Sequence, residues 1–202
     1  MKLYYSPGAC SLAAHIVAEE EGLDIELESV DLKAHKTERG ADYFAINPKG
    51  YVPALKLDDG KLLTENVAIL QYLGDREPED GLVPPPDSSD RYRLQEWLGY
   101  ITGELHKSFA PLFKGGDADA KARAKENITK RLKFVDEKLA THPYLMGAAF
   151  SVADAYLFVM LTWCDEDEVG IDIAGFKQLS RFKDTVAQRE GVRKAMKAEG
   201  LI

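Results

Sequence analysis

Strand-like and helix-like segments are segregated along this chain, and a proline-rich stretch divides them. Before the divide, short alternating runs are mixed with stretches of helical period. After it, only the helical period recurs. No single layer architecture accommodates both halves, so the chain reads as an α/β domain followed by an all-α helical bundle. The divide, residues 78–87, contains Pro84-Pro85-Pro86, Asp80 and Gly81 and has no period, as expected of an interdomain linker. The expected domains are therefore 1–77 and 88–202, and a chain of 202 residues is long enough to bury two cores.

Lys2-Leu3-Tyr4-Tyr5 is a short aromatic run that breaks at Ser6-Pro7-Gly8, a strand followed by a loop. Over 11–21, Leu12, Ile16 and Val17 share one helical face, Glu19-Glu20-Glu21 the other, and Gly22 stops the helix. Residues 25–30 alternate strictly, as a half-buried strand does. The polar stretch 33–45 suggests a loop with a short helix. Residues 52–57 and 61–64 form strands around an Asp58-Asp59-Gly60 hairpin turn, and 67–72 is the apolar part of a further helix. The strand–helix–strand start implies a right-handed parallel crossover, and the hairpin adds an antiparallel edge. That order is the thioredoxin-like α/β layout. Beyond the linker, helical patterns cover 88–112, 118–140, 152–165 and 175–199, the last with a break near Glu190-Gly191.

The net charge is −8 and no basic stripe is present, which argues against nucleic acid as a partner. No apolar stretch approaches the roughly 20 residues of a membrane span. Residues 1–5 do not resemble a signal peptide, and two lone cysteines, Cys10 and Cys164, suit a reducing cytoplasm. No spacing of His, Cys and acidic residues suggests a metal site.

Three signals carry chemistry. Cys10 follows a glycine-containing loop and precedes a helix, where backbone N–H groups stabilise an anion; a thiolate there is expected to form more easily than on a free cysteine. A buried structural cysteine is the competing reading. Ala13 stands where a dithiol motif needs its second cysteine, so dithiol cycling is disfavoured. Val52-Pro53 opens a strand; such a proline is either an ordinary trans edge residue or, as is common in a thioredoxin-like sheet, cis, leaving the backbone of the preceding residue free to pair with an extended peptide. Thr64-Glu65-Asn66 lies between a strand and a helix. It can cap the helix, or Glu65 can accept a ligand ammonium while Asn66 and the first helical N–H groups hold a carboxylate. Together these make a groove with a thiol end, a backbone middle and a zwitterion end, the order of parts in glutathione.

At this point the chain resembles the bacterial beta-class glutathione S-transferases over essentially its full length. The resemblance rests on Met1 to Leu12, Asn47-Pro48-Lys49-Gly50-Tyr51-Val52-Pro53-Ala54-Leu55, Leu63-Thr64-Glu65, Glu104-Leu105-His106-Lys107, Ser151-Val152-Ala153-Asp154-Ala155-Tyr156 and Ala198-Glu199-Gly200-Leu201-Ile202. It implies a cytoplasmic homodimer that conjugates glutathione to a small hydrophobic electrophile, with peroxidase or disulfide-reductase activity at the side. It assigns Cys10 to the glutathione sulfur, Val52 and Pro53 to the cysteinyl backbone, Glu65 and Asn66 to the γ-glutamyl end, and His35, where relatives carry lysine, to the glycyl end. Gly103, Glu104, His106 and Lys107 join the glutathione contacts, and His106 joins Cys10 as a catalytic residue, taking the thiol proton or hydrogen-bonding the thiolate. At Gly99 and Gly103 relatives place side chains donated by the partner subunit, and glycine has none to donate.

Two rival functions stay open on the residues alone: a thiol–disulfide oxidoreductase with Cys10 as nucleophile, and a non-catalytic binding module of this fold. His15 is read as a packing or capping residue, Ser151 to Asp154 as a capping box, and Cys164 as a packed small hydrophobe. Most aromatic residues of the helical half are read as core, with Phe109, Leu112 or Phe113 as candidate lining for an electrophile pocket.

Overall fold

The computed structural model describes residues 1–76 and 81–202. It divides into two compact units, Met1–Val83 with Arg189–Ile202, and Pro84–Gln188. The end of the expected first domain and the start of the expected linker, residues 77–80, lie outside the described residues.

In the first unit, β1 (Lys2–Tyr5) runs parallel to β2 (Glu26–Asp31) and antiparallel to β4 (Ala54–Lys56), which pairs in a hairpin with β5 (Leu62–Thr64). With β3 (Lys36–Thr37) paired to β2 at the edge, the sheet order is β3-β2-β1-β4-β5. The parallel crossover is made by α1 (Leu12–Glu20), and α3 (Asn66–Gly74) packs beside it. Strand alternation puts Tyr4 and Ala54 on one face of the sheet, in a core with Val30, Tyr43 and Val52, and the register partners Leu3 and Leu55 on the other. The layout is the thioredoxin-like one expected. The sequence pattern does not show β3 (Lys36–Thr37), because two polar residues at a sheet edge carry no alternation. Within the polar stretch 33–45 and just beyond it, the expected short helix is α2 (Tyr43–Ile46).

The compact units do not coincide with the expected domains: residues 189–202, expected within 88–202, group with the first unit. There α9 (Glu190–Ala198) packs directly on α1. Gly191 permits the approach, since a Cβ there would lie 2.7 Å from Glu20 Cγ. Arg189 closes the contact with a two-pronged pair to Glu20, Nη2 to Oε2 at 2.5 Å and Nε to Oε1 at 3.1 Å. Periodicity announces a helix; it does not say which helix it will meet.

The second unit is all-helical, as expected. It contains α4 (Ser89–Tyr100), α5 (Ala110–Phe113), α6 (Ala118–Lys138), α7 (Val152–Trp163) and α8 (Lys177–Ala187). The expected helix over 88–112 is not continuous: a π turn (Ile101–Leu105) and a 3₁₀ turn (His106–Phe109) interrupt it. Gly99 and Gly103 weaken the helix there, and Pro111, in the first turn of α5, has no N–H to offer the preceding turn. Helix α7 is buried along almost its whole length. The start of α8 has no cap of its own; the Asp136 carboxylate, from α6, accepts from Gln178 N at 2.8 Å and Leu179 N at 2.9 Å.

Candidate active site

The Cys10 loop is held from three directions. The buried Ser11 hydroxyl accepts from Ser6 N at 3.1 Å and donates back to Ser6 O at 3.3 Å, so it is committed to the loop rather than to a ligand. Gly8, at φ +70°, donates its N–H to Glu199 Oε2 at 2.9 Å. Asn66 Nδ2, at the start of α3, donates to Cys10 O at 3.2 Å.

The Cys10 thiol itself donates to Val52 O at 3.3 Å. The Val52–Pro53 peptide bond is cis, and among the described residues the Val52 N–H has no hydrogen-bond partner. The backbone just before it is anchored, because Tyr51 O accepts from Tyr43 Oη and from Asn47 Nδ2, each at 2.8 Å. Two backbone groups of an extended segment therefore stand beside the thiol, the arrangement an added strand recognises.

Glu65 precedes α3 at φ +72° and ψ 119°, a conformation that residues with a Cβ rarely adopt. Its side chain caps nothing. It reaches Lys49 Nζ at 2.6 Å, and the same ammonium donates to Thr64 Oγ1 at 3.0 Å. Both charged side chains are largely exposed, so their pairing adds little stability and a ligand ammonium can replace it at small cost. Next to Lys49, a Cβ on Gly50 would lie 2.7 Å from Phe44 Cε1 and 3.2 Å from His35 Cε1. The His35 ring stacks on Phe44 with centroids 4.2 Å apart, and its buried Nδ1 has no partner. Successive contacts thus link His35 to Gly50 beside Lys49, Lys49 to Glu65, the adjoining Asn66 to Cys10, and Cys10 to Val52, all within the first unit.

The electrostatics correct one expectation. Cys10 is not primed as a thiolate. Burial of the thiol pushes it up to about 12; backbone N–H groups of Cys10 and Ser11 oppose this, and the Glu65 carboxylate adds to it. The helix start does pull in the expected direction, but desolvation outweighs it. Cys164, in the second unit, is likewise pushed up to about 12 by burial and donates to Met160 O at 3.5 Å, as a packed small hydrophobe would.

Gly103, Glu104, His106 and Lys107 belong to the second unit. Gly103 and Glu104 sit in the π turn. The Glu104 carboxylate pairs with Arg131 Nη2 at 2.6 Å, while a Cβ on Gly99 or Gly103 would meet open space. His106 Nδ1 lies 2.5 Å from the hydroxyl of Tyr156, a residue 1% exposed. Burial, with Lys107 and Lys114 nearby, lowers His106 to about 4, so the imidazole is neutral at pH 7.

Residues 8–76 match the glutathione S-transferase N-terminal domain family, and residues 97–190 match the glutathione S-transferase C-terminal domain family. Glutathione S-transferase GstA of Escherichia coli O157:H7 is 48% identical over 202 residues, which cover 100% of both chains. The chain belongs to the glutathione S-transferase family. Among solved structures, a bacterial beta-class glutathione S-transferase of Sphingomonas chungbukensis is 45% identical with a TM-score of 0.96. A sphingomonad glutathione S-transferase complexed with glutathione is 49% identical with a TM-score of 0.95; both comparisons cover 100% of each chain. The likeness is to the bacterial beta class, as the sequence motifs suggested.

Three residues that contact predicted site residues escape sequence reasoning. Lys49 is present in the motif, but its pairing with Glu65 is not evident there. Tyr156 stands two residues beyond the Ser151 to Asp154 capping box, and nothing in the sequence pairs it with His106. Glu199 lies 191 residues from Gly8, and no local pattern connects them. Its fully buried carboxylate also meets His15 Nδ1 at 2.9 Å. Glu199→Gln is expected to lower unfolding stability by about 1 to 2 kcal/mol, since the neutral amide cannot replace both charge-assisted bonds. A urea midpoint unchanged from the parent would contradict this. Among the described residues no group of three or more His, Cys, Asp or Glu side chains could hold a metal ion, and no helix is long and apolar enough to cross a membrane.

Proposed function

We propose that this linked set of residues, from His35 to Val52, binds glutathione and that the protein transfers the bound thiolate to a small hydrophobic electrophile. The observation that carries this reading is the Cys10 thiol 3.3 Å from Val52 O, beside a free Val52 N–H. The cysteinyl backbone of glutathione pairs with both Val52 groups. Its N–H takes the carbonyl on which the Cys10 proton is parked, and the displaced thiol turns to donate its S–H to the glutathione sulfur. Glu65 receives the γ-glutamyl ammonium in place of Lys49. Asn66 holds the Cys10 loop and offers its unpartnered Oδ1. His35 and the freed Lys49 ammonium serve the glycyl carboxylate. In the second unit, His106 hydrogen-bonds the thiolate, with Gly103, Glu104 and Lys107 around it. Phe109 or Phe113 forms part of the electrophile pocket. The active form is a homodimer in the cytoplasm.

A Cys10 thiol held near 12 is a donor, not a nucleophile, at neutral pH. This favours conjugation over a redox cycle through Cys10. Lowering the glutathione thiol by about two units would raise the thiolate fraction about a hundredfold at pH 7. Cys10→Ala is accordingly expected to retain conjugation of an aryl halide within about tenfold, the worth of one hydrogen bond. Complete loss of that activity in a folded, glutathione-binding variant would assign Cys10 the nucleophilic role instead. The whole reading is tested by calorimetric titration with glutathione. A folded protein that gives no heat of binding would leave it without support.

A further inference from the structure

We propose that Tyr156 is a positioning residue for the transfer reaction: its hydroxyl donates to His106 Nδ1 and holds the imidazole with its proton on Nε2, so that His106 donates a hydrogen bond to the glutathione sulfur and does not remove the thiol proton. The donor role rests on the preceding assignment of His106 to the thiolate.

The geometry of the second unit carries the argument. Nδ1 and the Tyr156 oxygen are 2.5 Å apart, inside a layer where Tyr156 is buried. In such a pair one partner must donate. A phenol is the stronger donor and an imidazole lone pair the stronger acceptor, so O–H to Nδ1 is the favoured sense. A neutral ring that accepts at Nδ1 carries its hydrogen at Nε2. Nε2 has no hydrogen-bond partner among the described residues, yet it is not among the buried polar atoms without one, so it reaches the surface of this unit. The ring cannot readily turn to exchange its nitrogens. Tyr156 meets it edge-on at 5.8 Å and 87°, and Trp163 meets it at 4.9 Å and 72°. Its backbone stands in the 3₁₀ turn that follows the π turn, a departure from regular helix of the kind often found at functional sites.

Burial and the neighbouring Lys107 and Lys114 penalise the imidazolium that a general base must become. A donor to a thiolate undergoes no change of charge. The proton of glutathione then leaves to solvent, and His106 Nε2–H, together with the Cys10 S–H, stabilises the anion left behind. The buried phenol is thus more than a space-filling aromatic: it selects which of two neutral forms the histidine adopts.

The tautomer can be read directly by two-bond ¹H–¹⁵N correlation on the full chain without glutathione, with the His106 signals assigned by their loss in His106→Gln. The parent is expected to show an unprotonated Nδ1 and a protonated Nε2. Tyr156→Phe should show a mixture of tautomers, a higher pKa of bound glutathione by ultraviolet thiolate absorbance, and about tenfold lower kcat/KM, the worth of one hydrogen bond. The same substitution in a His106→Ala background should cost little more, because both changes remove one interaction.

A second comparison does not depend on how Tyr156→Phe folds. His106→Gln keeps an N–H donor near the Nε2 position but has no base, so it should be clearly more active than His106→Ala. A protonated Nδ1 in the parent, or equal inactivity of the Gln and Ala variants, would overturn the donor role. Full activity in His106→Ala would instead overturn the placement of His106 at the thiolate, and the tautomer measurement separates that outcome from a failure of the Tyr156 contact.

Discussion

Asp154→Ala is expected to lower unfolding stability by about 3 to 5 kcal/mol, because it takes a charged acceptor from two backbone N–H groups and a hydroxyl at a buried site. The fully buried carboxylate accepts from Ser151 N at 2.9 Å, Ser151 Oγ at 2.6 Å and Leu145 N at 2.8 Å. The first two bonds start helix α7, the most buried helix of its unit. The third ties down the loop before it. Alanine leaves two backbone N–H groups without an acceptor, which an ordinary cap substitution, worth about 1 kcal/mol, does not. At this chain length the thermal midpoint should fall by about 10 °C. Asp154→Asn keeps one carbonyl acceptor and should lose about half as much. Calorimetry and urea unfolding check both values. Because the site residues themselves are untouched, kcat measured well below the midpoint should match the parent. Lost activity at unchanged stability would contradict a purely structural role.

Glu65 should show effects of opposite sign on binding and on stability. Removing its carboxylate deprives a bound ammonium of a charge-assisted bond, worth about 1.5 to 3 kcal/mol, so KM for glutathione should rise at least about tenfold in Glu65→Ala. The residue pays for its place at φ +72° with backbone strain of about 1 to 3 kcal/mol. Glycine adopts that conformation without a Cβ clash. The bond to Lys49 that is lost with it is exposed and worth less than about 1 kcal/mol. Glu65→Gly should therefore bind glutathione as poorly as Glu65→Ala yet unfold at an equal or higher urea concentration than the parent. A Gly variant that is both weaker-binding and less stable would mean that the strained conformation is not what the side chain costs here.

Much of this architecture was legible in the sequence. The strand at Lys2–Tyr5, the helix after Cys10 and the hairpin at Gly60 come from short-range pattern and turn chemistry, and each is observed. The Val52-Pro53 and Glu65-Asn66 signals fall at element boundaries, which local pattern marks, and among the described residues the Val52 N–H has no partner there. The continuous helix expected over 88–112 failed because glycines and Pro111 spread their effect over two irregular turns, while apolar spacing still resembled one helix. The Cys10 thiolate failed for a different reason. A helix start is a local feature, but the burial that opposes it depends on everything packed around the thiol.

The two-part architecture, the order of elements in each part and the places where a thiol, a proline and a carboxylate interrupt them are written locally in the chain, within a few residues of one another. The protonation of Cys10, the partner of His106 and the grouping of residues 189–202 with the first unit emerge only on folding. Those outcomes depend on dielectric surroundings and on contacts such as Gly8 to Glu199, across 191 residues, which no local pattern records.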